Sequence, residues 1–279
     1  MATGPQTTTP IGTHGVVFLM DFCGACRSCT LGFTNQCLQK RADMGFNRDG
    51  GYAPYELVSE SVFFPVDADI TPAEATLLLD VMGTGGHAIA RAQMVRPDIQ
   101  SLLICGAGPI GLGLLAMAKL RLGNIPVLVS DVSPFRLNLA AQLGGLPVGL
   151  RDAADAPVPL REGLARHGFG EVFAAIDSSG KSVARHEALE VLAARGVLVC
   201  VGHGEGLHLE VSRHLIAPER AVLGSEYFRF DELPANYRLL REHRKYLGAI
   251  ITHQFGGGEI GRAFELFFGG QTGKVIVQP

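Results

Sequence analysis

The 279-residue sequence predicts an α/β protein, a doubly wound parallel sheet joined to a smaller β-rich part that carries a cysteine-bound lobe. Three observations predict it. Apolar runs alternate with helical stretches from about residue 100 onward, one run ends in a G-x-G-x-x-G turn, and four cysteines crowd into fifteen positions near the start. The chain is long enough for two packed domains, and 47 % hydrophobic with 18 % charged residues excludes disorder over most of it. The net charge of −3, with Lys and Arg dispersed, gives no footprint for nucleic acid. A small neutral or polar substrate fits better.

The cysteines come first along the chain. Cys23, Cys26, Cys29 and Cys37 are spaced C-x2-C-x2-C-x7-C, the pattern of a closed tetrahedral all-sulfur cage around a structural Zn2+. Two disulfides or a reactive thiol cluster are the alternatives, but successive C-x-x-C steps suit a metal better than strain-free bridges. Cys105 and Cys200 sit alone inside apolar runs, as buried reduced thiols do, which points to a reducing cytoplasm. Residues 1–10 are polar and Thr-rich and carry no signal-peptide signature. The uncharged stretch Ile99 to Leu115 resembles a membrane span in hydropathy alone, and its glycines argue against one.

Ser101 to Cys105 reads as a buried strand running into Gly106-Ala-Gly108-Pro109-Ile110-Gly111, with a helix from Leu112 to Leu122. This is a dinucleotide fingerprint in its confirming context: the first glycine permits the turn, the second admits a pyrophosphate, and the third lets helix and strand pack. The helix N-terminus offers N–H groups and a positive dipole end to the phosphates. A second strand, Val127 to Asp131, ends in an acid about 20 residues after the last glycine, placed to accept from a ribose 2′-hydroxyl and to repel a 2′-phosphate. NAD is therefore preferred over NADP. Asp131 also suits a helix cap before Ser133-Pro134.

The alternation continues with a strand Val172 to Asp177, a turn Ser178-Ser179-Gly180 and a helix from about Ser182 to Ala194. A strand Gly196 to Val201 then ends in Gly202-His203-Gly204. Ligands of such sheets lie at the carboxyl ends of the strands, which puts Ser179, Gly202 and His203 on the cofactor side. His203 is either a nicotinamide contact or a solvated loop histidine. Arg136 either reaches the adenosine ribose or phosphates or occupies a solvated helix position.

These pieces together resemble the zinc-containing medium-chain dehydrogenases, the alcohol, polyol and threonine dehydrogenase group. The matching residues are Gly15-Val-Val leading to Cys23-Gly-Ala-Cys26-Arg-Ser-Cys29, Asp49-Gly-Gly-Tyr-Ala-Pro-Tyr55, Ala73-Glu-Ala-Thr-Leu-Leu-Leu-Asp80, Thr84-Gly-Gly-His87, the glycine turn with Asp131, and Thr272-Gly-Lys-Val-Ile-Val. The resemblance implies a GroES-like catalytic part with its structural zinc lobe over residues 1–83, a Rossmann-type NAD-binding domain over 84–247, and a C-terminal return over 248–279. Phe255-Gly-Gly-Gly-Glu259 departs from the apolar turn usual there. Tyr55 and Glu56 are expected on a strand face, and His87 is expected to cap or pack at the start of a helix Ala88 to Met94.

By the same resemblance, members carry about 70 further residues before the position of Gly15. That portion supplies most ligands of a catalytic zinc, and the resemblance leaves Asp80 here as a possible ligand or partner of one. Two readings follow. The chain is an NAD-dependent alcohol or polyol dehydrogenase, moving a hydride between a small alcohol and nicotinamide. Alternatively it is a truncated or degenerate member that binds NAD and one zinc without turnover. Val222-Leu-Gly-Ser-Glu226 resembles the strand that pairs between subunits, so a homo-oligomer, dimer or tetramer, is expected.

Overall fold

The structure is a computed structural model describing residues 4 and 7–278. Its first part is a set of short strands: β1 (Gly15–Val17) pairs antiparallel with β4 (Phe63–Pro65), and β2 (Met20–Asp21) with β3 (Ala42–Asp43). The cysteine lobe, with its one-turn helix α1 (Arg27–Thr30), is the excursion between β2 and β3. Tyr55 and Glu56, expected on a strand face, lie instead in an irregular segment, with Tyr55 82 % exposed. Neighbouring Gly50, Gly51 and Pro54 give that stretch turn chemistry, and turn chemistry overrides its aromatic content.

Helices α2 (Pro72–Ala75) and α3 (Gly85–Val95) lead into the large sheet, and Asp80–Thr84 forms a π-helical turn between them. The sheet strands are β5 (Leu102–Cys105), β6 (Val127–Asp131), β7 (Leu146–Gly149), β8 (Val172–Asp177), β9 (Leu192–Cys200) and β10 (Ala221–Gly224). They are all parallel, in the order β10-β9-β8-β5-β6-β7. Helices α4 (Pro109–Arg121), α5 (Pro134–Gln142), α6 (Leu160–Ala165) and α7 (Ser182–Glu190) make the crossovers. Side chains alternate faces along each strand. Ile104, Val129, Ile176 and Val199 therefore join the core under α3 and α4, while Leu103, Leu128, Ala175 and Leu198 join a second core under α6 and α7.

Two boundaries differ from expectation. The first crossover helix begins at Pro109, not Leu112, because a proline fits the first helical position and has no N–H to lose there. Helix α7 ends at Glu190, four residues before the expected Ala194. Leu192–Ala194 already belong to β9, whose bend is marked by Arg195 at φ 58°.

Helices α8 (Leu233–Glu242) and α9 (Arg244–Gly248) follow β10. The chain closes with β11 (Ile251–Gly256), α10 (Ile260–Phe268) and β12 (Lys274–Gln278), the two strands pairing in parallel. Phe255-Gly-Gly-Gly-Glu259 forms the end of β11 and a 3-10 turn. Aromatic packing joins the first part to the segment between β10 and α8: Phe18 stands edge-on to Phe228 at 5.1 Å and to Phe230 at 5.5 Å.

An ion pair reinforces that junction. Thr71 and Glu74 form a capping box at α2, and Arg244 places its guanidinium 2.8 Å from Glu74 Oε2. The Arg244 hydrogen bond is the main reason the Glu74 carboxyl titrates at about 2 in place of its ordinary 4.5. A lowered carboxyl pKa contributes stability that is complete above pH 4.5 and is lost as pH falls toward 2. Glu74→Gln is therefore expected to melt below wild type at pH 6, with the gap narrowing below pH 4.5 and closing only near pH 2, as read by circular dichroism melts.

Candidate functional site

The zinc lobe is built by close turns that leave little else inside. Among the residues from Cys23 to Cys37, Asn35 is buried and α1 buries no side chain, so the apolar core contributes little to holding this loop. What converges are the four thiols: the sulfur atoms of Cys23, Cys26, Cys29 and Cys37 all lie within 4.8 Å of one another. The Cys26–Cys29 separation is 3.5 Å, Cys26–Cys37 3.9 Å and Cys23–Cys29 4.0 Å. A tetrahedron with metal–sulfur bonds of about 2.3 Å has edges of about 3.8 Å, so these thiols fit a zinc ion. All four are free thiols, which removes the disulfide alternative.

Backbone donors prepare the cage. The N–H groups of Cys26 and Ala25 donate to Cys23 Sγ at 3.3 and 3.5 Å, Leu38 N–H to Cys26 Sγ at 3.4 Å, and Cys23 N–H to Cys37 Sγ at 3.3 Å. Donation from the Cys29 N–H, chiefly, pulls the Cys26 thiol down to about 6, and donation from Ala25 lowers Cys23. Burial pushes Cys29 up to about 12. The lobe docks on the body through Asn35 Nδ2, which donates to the Glu226 carbonyl at 2.7 Å, and through Phe230 N–H, which donates to Thr34 Oγ1 at 2.8 Å.

The glycine turn sits where the sheet order reverses, with β6 on one side of β5 and β8 on the other. Gly106 adopts φ 95°, a conformation that costs a side-chain-bearing residue free energy. Gly111 faces the Gly106 carbonyl so closely that any Cβ would collide with backbone. At Gly108 a Cβ would meet nothing within 4 Å, so that side of the turn is open. No side chain caps α4, and beyond Pro109, which has no N–H, its first turn leaves the backbone N–H groups of Ile110 and Gly111 for an anion. The fit to a dinucleotide pyrophosphate rests on that open, uncapped turn.

Asp131, 9 % exposed at the end of β6, is fixed by two backbone donors. Ala107 N–H reaches its Oδ2 at 2.6 Å and Ser133 N–H its Oδ1 at 2.8 Å, so one carboxylate ties the glycine turn to the next loop. The α5 cap falls to Ser133, whose Oγ accepts from Arg136 N–H at 3.4 Å. The Arg136 guanidinium donates through Nε to the Thr272 carbonyl at 3.1 Å and so anchors the C-terminal segment beside this groove.

The opposite wall is organised by a pair that sequence reasoning missed. Asp177 is fully buried at the end of β8, and Arg185 from α7 places Nε 2.8 Å from its Oδ2. The other guanidinium nitrogens donate to the carbonyls of Gly202 and Glu205, so one arginine pins the loop after β9. Ser179 donates through Oγ to Asp177 Oδ1 at 2.6 Å, and Ser178 Oγ donates to Cys105 and Gly106 carbonyls at 3.0 and 3.1 Å. Ser179 thus flanks the glycine turn at Gly106 and Gly202 packs against Ser178 and Gly180, while His203 is exposed, 3.4 Å from Glu226 Oε2. A polar residue closing an apolar strand and an arginine one helix later are the signal for such a pair.

Asp80 opens the π-helical turn, half exposed, with Lys274 Nζ from β12 4.0 Å away. Among the described residues the four cysteines form the one group of three or more His, Cys, Asp or Glu side chains able to hold a metal. His87 packs within α3, its Nδ1 3.1 Å from Glu232 Oε1. No helix among the described residues is long and apolar enough to cross a membrane.

Comparison with known proteins decides the lineage. Residues 109–242 match the family model described as zinc-binding dehydrogenase. The chain is 30 % identical over 259 residues to an L-threonine 3-dehydrogenase of Shewanella frigidimarina, covering 91 % of this chain and 72 % of that protein. This chain belongs to the zinc-binding dehydrogenase family. It is also 29 % identical over 268 residues to an uncharacterized zinc-type alcohol dehydrogenase-like protein, YphC, of Escherichia coli K12, covering 95 % of this chain and 74 % of YphC. A crystal structure of the alcohol dehydrogenase rspB from E. coli CFT073 with NADH superposes with a TM-score of 0.84 at 21 % identity, over 100 % of this chain and 80 % of that one. At that identity the likeness shows a shared fold, here a Rossmann-type α/β fold.

Proposed function

We propose that this family member binds NAD across the Gly106–Gly111 turn and transfers a hydride between a small alcohol or polyol and nicotinamide, with zinc held by Cys23, Cys26, Cys29 and Cys37. The observation that carries the reading is the open Gly108 side of an uncapped helix N-terminus with the Asp131 carboxylate fixed alongside it. The L-threonine 3-dehydrogenase relative supports an alcohol carbon as the hydride source. Nicotinamide, when bound, supplies the hydride acceptor. The chain's own part is to seat the pyrophosphate on the α4 N-terminus, to fix the ribose with Asp131 and the edge of Arg136, and to present the loops at Ser179, Gly202 and His203. Asp80, 4.0 Å from Lys274 Nζ, stands as the candidate ligand, or partner of a ligand, of a catalytic zinc.

The test is NADH titration by fluorescence, followed by a panel of alcohols and polyols with NAD. NADH binding with alcohol-dependent reduction supports the reading. NADH binding without turnover selects the second reading, a chain that binds cofactor and zinc without turning over alcohol. Asp131→Asn is expected to weaken NADH about 10- to 100-fold, the value of one charge-assisted hydrogen bond, and to narrow the NAD over NADP preference. Unchanged affinity removes Asp131 from the site.

The free thiols of Cys105 and Cys200 support a reducing, cytoplasmic setting. Strand β10 pairs with β9 on one edge and among the described residues has no strand on its other edge, which supports a dimer formed there. Light scattering tests it, and a monodisperse monomer overturns it.

A further inference from the structure

The four thiols of the lobe stand in a setting unlike that of Cys105. Cys105 is buried inside the sheet, whereas Cys23, Cys26, Cys29 and Cys37 are all half-buried, on a loop whose Gly24, Ala25 and Arg27 are exposed. Reactive thiols occupy such partly exposed, electropositive positions, and inert ones lie in apolar cores. The cage therefore gives a small oxidant in solution direct access to its sulfurs.

Cys26 and Cys29 are the pair set to join. Their sulfurs stand 3.5 Å apart, nearer than the 3.9 Å of Cys26–Cys37 and the 4.0 Å of Cys23–Cys29. Cys26 is the N-cap of α1 and Cys29 its third residue, so the two lie one turn apart on the same face, a spacing that a disulfide with Cα atoms roughly 4.4–6.8 Å apart can span. Helix α1 is one turn long, has no side-chain cap and buries no side chain, so closing the two sulfurs to about 2.05 Å disturbs little packed structure. The docking of the lobe carries such a change inward. Asn35 Nδ2 donates to the Glu226 carbonyl at 2.7 Å and Phe230 N–H donates to Thr34 Oγ1 at 2.8 Å, and between these two anchors Phe228 is fully buried. A Cβ added at Gly83 would collide with the Phe228 ring, so that ring lies against the π-helical turn opened by Asp80.

We propose that Cys26 and Cys29 form a peroxide-sensitive pair whose disulfide expels the zinc and releases the lobe from the Glu226–Phe230 segment. The inference rests on the reading that the four cysteines hold zinc. One thiolate attacks hydrogen peroxide, takes one oxygen as a sulfenic acid and releases hydroxide. The second thiolate attacks that sulfur, forming the S–S bond and expelling the other oxygen as hydroxide, so the two sulfurs together give up two electrons and the peroxide accepts them. Cys23 and Cys37 remain, two ligands where a closed zinc site needs four. A reducing thiol reverses the bond and restores the four ligands.

The experiment treats the full zinc-loaded chain with hydrogen peroxide and reads zinc release with a colorimetric chelator, disulfides by non-reducing mass spectrometry, and backbone hydrogen exchange. Trypsin cuts after Arg27 and next after Lys40, so Cys26 and Cys29 fall in separate peptides, 1–27 and 28–40, that stay together only through a disulfide. Fragmentation of the joined peptides is expected to place the bond at Cys26–Cys29, with loss of the bound zinc and faster exchange at residues 80–84 and 226–230. Dithiothreitol with added zinc should restore all three readouts. Cys29→His keeps a fourth ligand but removes the partner thiol, so it should hold zinc through the same exposure, while Cys37→His should still lose it. Zinc retained by the wild type, a bond between other cysteines, or irreversible sulfinic acid in place of a disulfide overturns the pair. Unchanged exchange at 226–230 once the bond has formed overturns the release of the lobe. A chain that carries no zinc before peroxide overturns the cage reading and the expulsion with it, and measuring zinc first keeps that failure distinct from the others.

Discussion

Cys26→Ser is expected to reduce bound zinc from one ion per chain to near zero and to open the whole loop from Cys23 to Cys37 to proteolysis. The sulfur of Cys26 stands 3.5 Å from Cys29 and 3.9 Å from Cys37 and accepts the Leu38 N–H, so it is central to the cage. A serine hydroxyl is not ionised at neutral pH and cannot replace the thiolate that zinc requires. Apart from Asn35 the loop buries no side chain, so the metal supplies the free energy that other loops draw from apolar packing. Structural zinc in small peptides binds with about 10–16 kcal/mol, and that binding free energy is folding free energy. Loss of the ion should also release the two docking bonds, Asn35 to Glu226 and Phe230 to Thr34. Elemental analysis with limited trypsin cleavage, Arg27 being exposed within the loop, reads both effects. A zinc-free wild-type protein with an uncleaved loop would defeat this account.

The pH dependence of the same site has a definite sign. Metal binding needs all four sulfurs deprotonated, so protons compete with zinc and affinity falls as pH falls. Without metal, Cys26 ionises near pH 6 whereas Cys29, pushed up to about 12 by burial, keeps its proton at neutral pH. Zinc uptake at pH 7 must therefore release the Cys29 proton. Removal by a chelator should accelerate as pH drops through 6, measured as zinc released per minute.

The parts of the fold legible in the sequence are those whose physics is local. Buried parallel strands are near-continuous apolar runs, which is why Val127 to Asp131 and Val172 to Asp177 were readable to the residue. Strand β7 carries Pro147 between glycines, the composition of an edge, and gives no such run. The cysteine cage and glycine turn were legible because metal and phosphate chemistry fix spacing along the chain. Contacts that depend on distant segments were not. Asn35 and Glu226 are 191 positions apart, and nothing near either announces the other. For Arg136 the sequence left a ligand contact and a solvated position both open, and the bond from its Nε to the Thr272 carbonyl is a partner that only the return of the C-terminal segment could reveal.

The second large effect is expected at Asp177 and Arg185, and it separates stability from cofactor binding. Arg185→Met leaves a fully buried carboxylate without its cation, a change that costs about 3–5 kcal/mol in comparable buried pairs. For a chain of this size that corresponds to a fall in Tm of about 6–20 °C. The double variant Asp177→Asn with Arg185→Met removes the stranded charge, so it should recover part of the loss, and a thermodynamic cycle over the four proteins isolates the pair. NADH affinity should not recover with it. The carbonyls of Gly202 and Glu205 are held by Arg185 itself, and Ser179 by Asp177, so neutralising both leaves the loops after β8 and β9 unpinned. Stability restored without NADH affinity would show that the pair positions the cofactor loops as well as filling the core. Joint recovery of both would reduce it to packing, and an undiminished Tm in Arg185→Met would mean that Asp177 is not stranded as a buried charge.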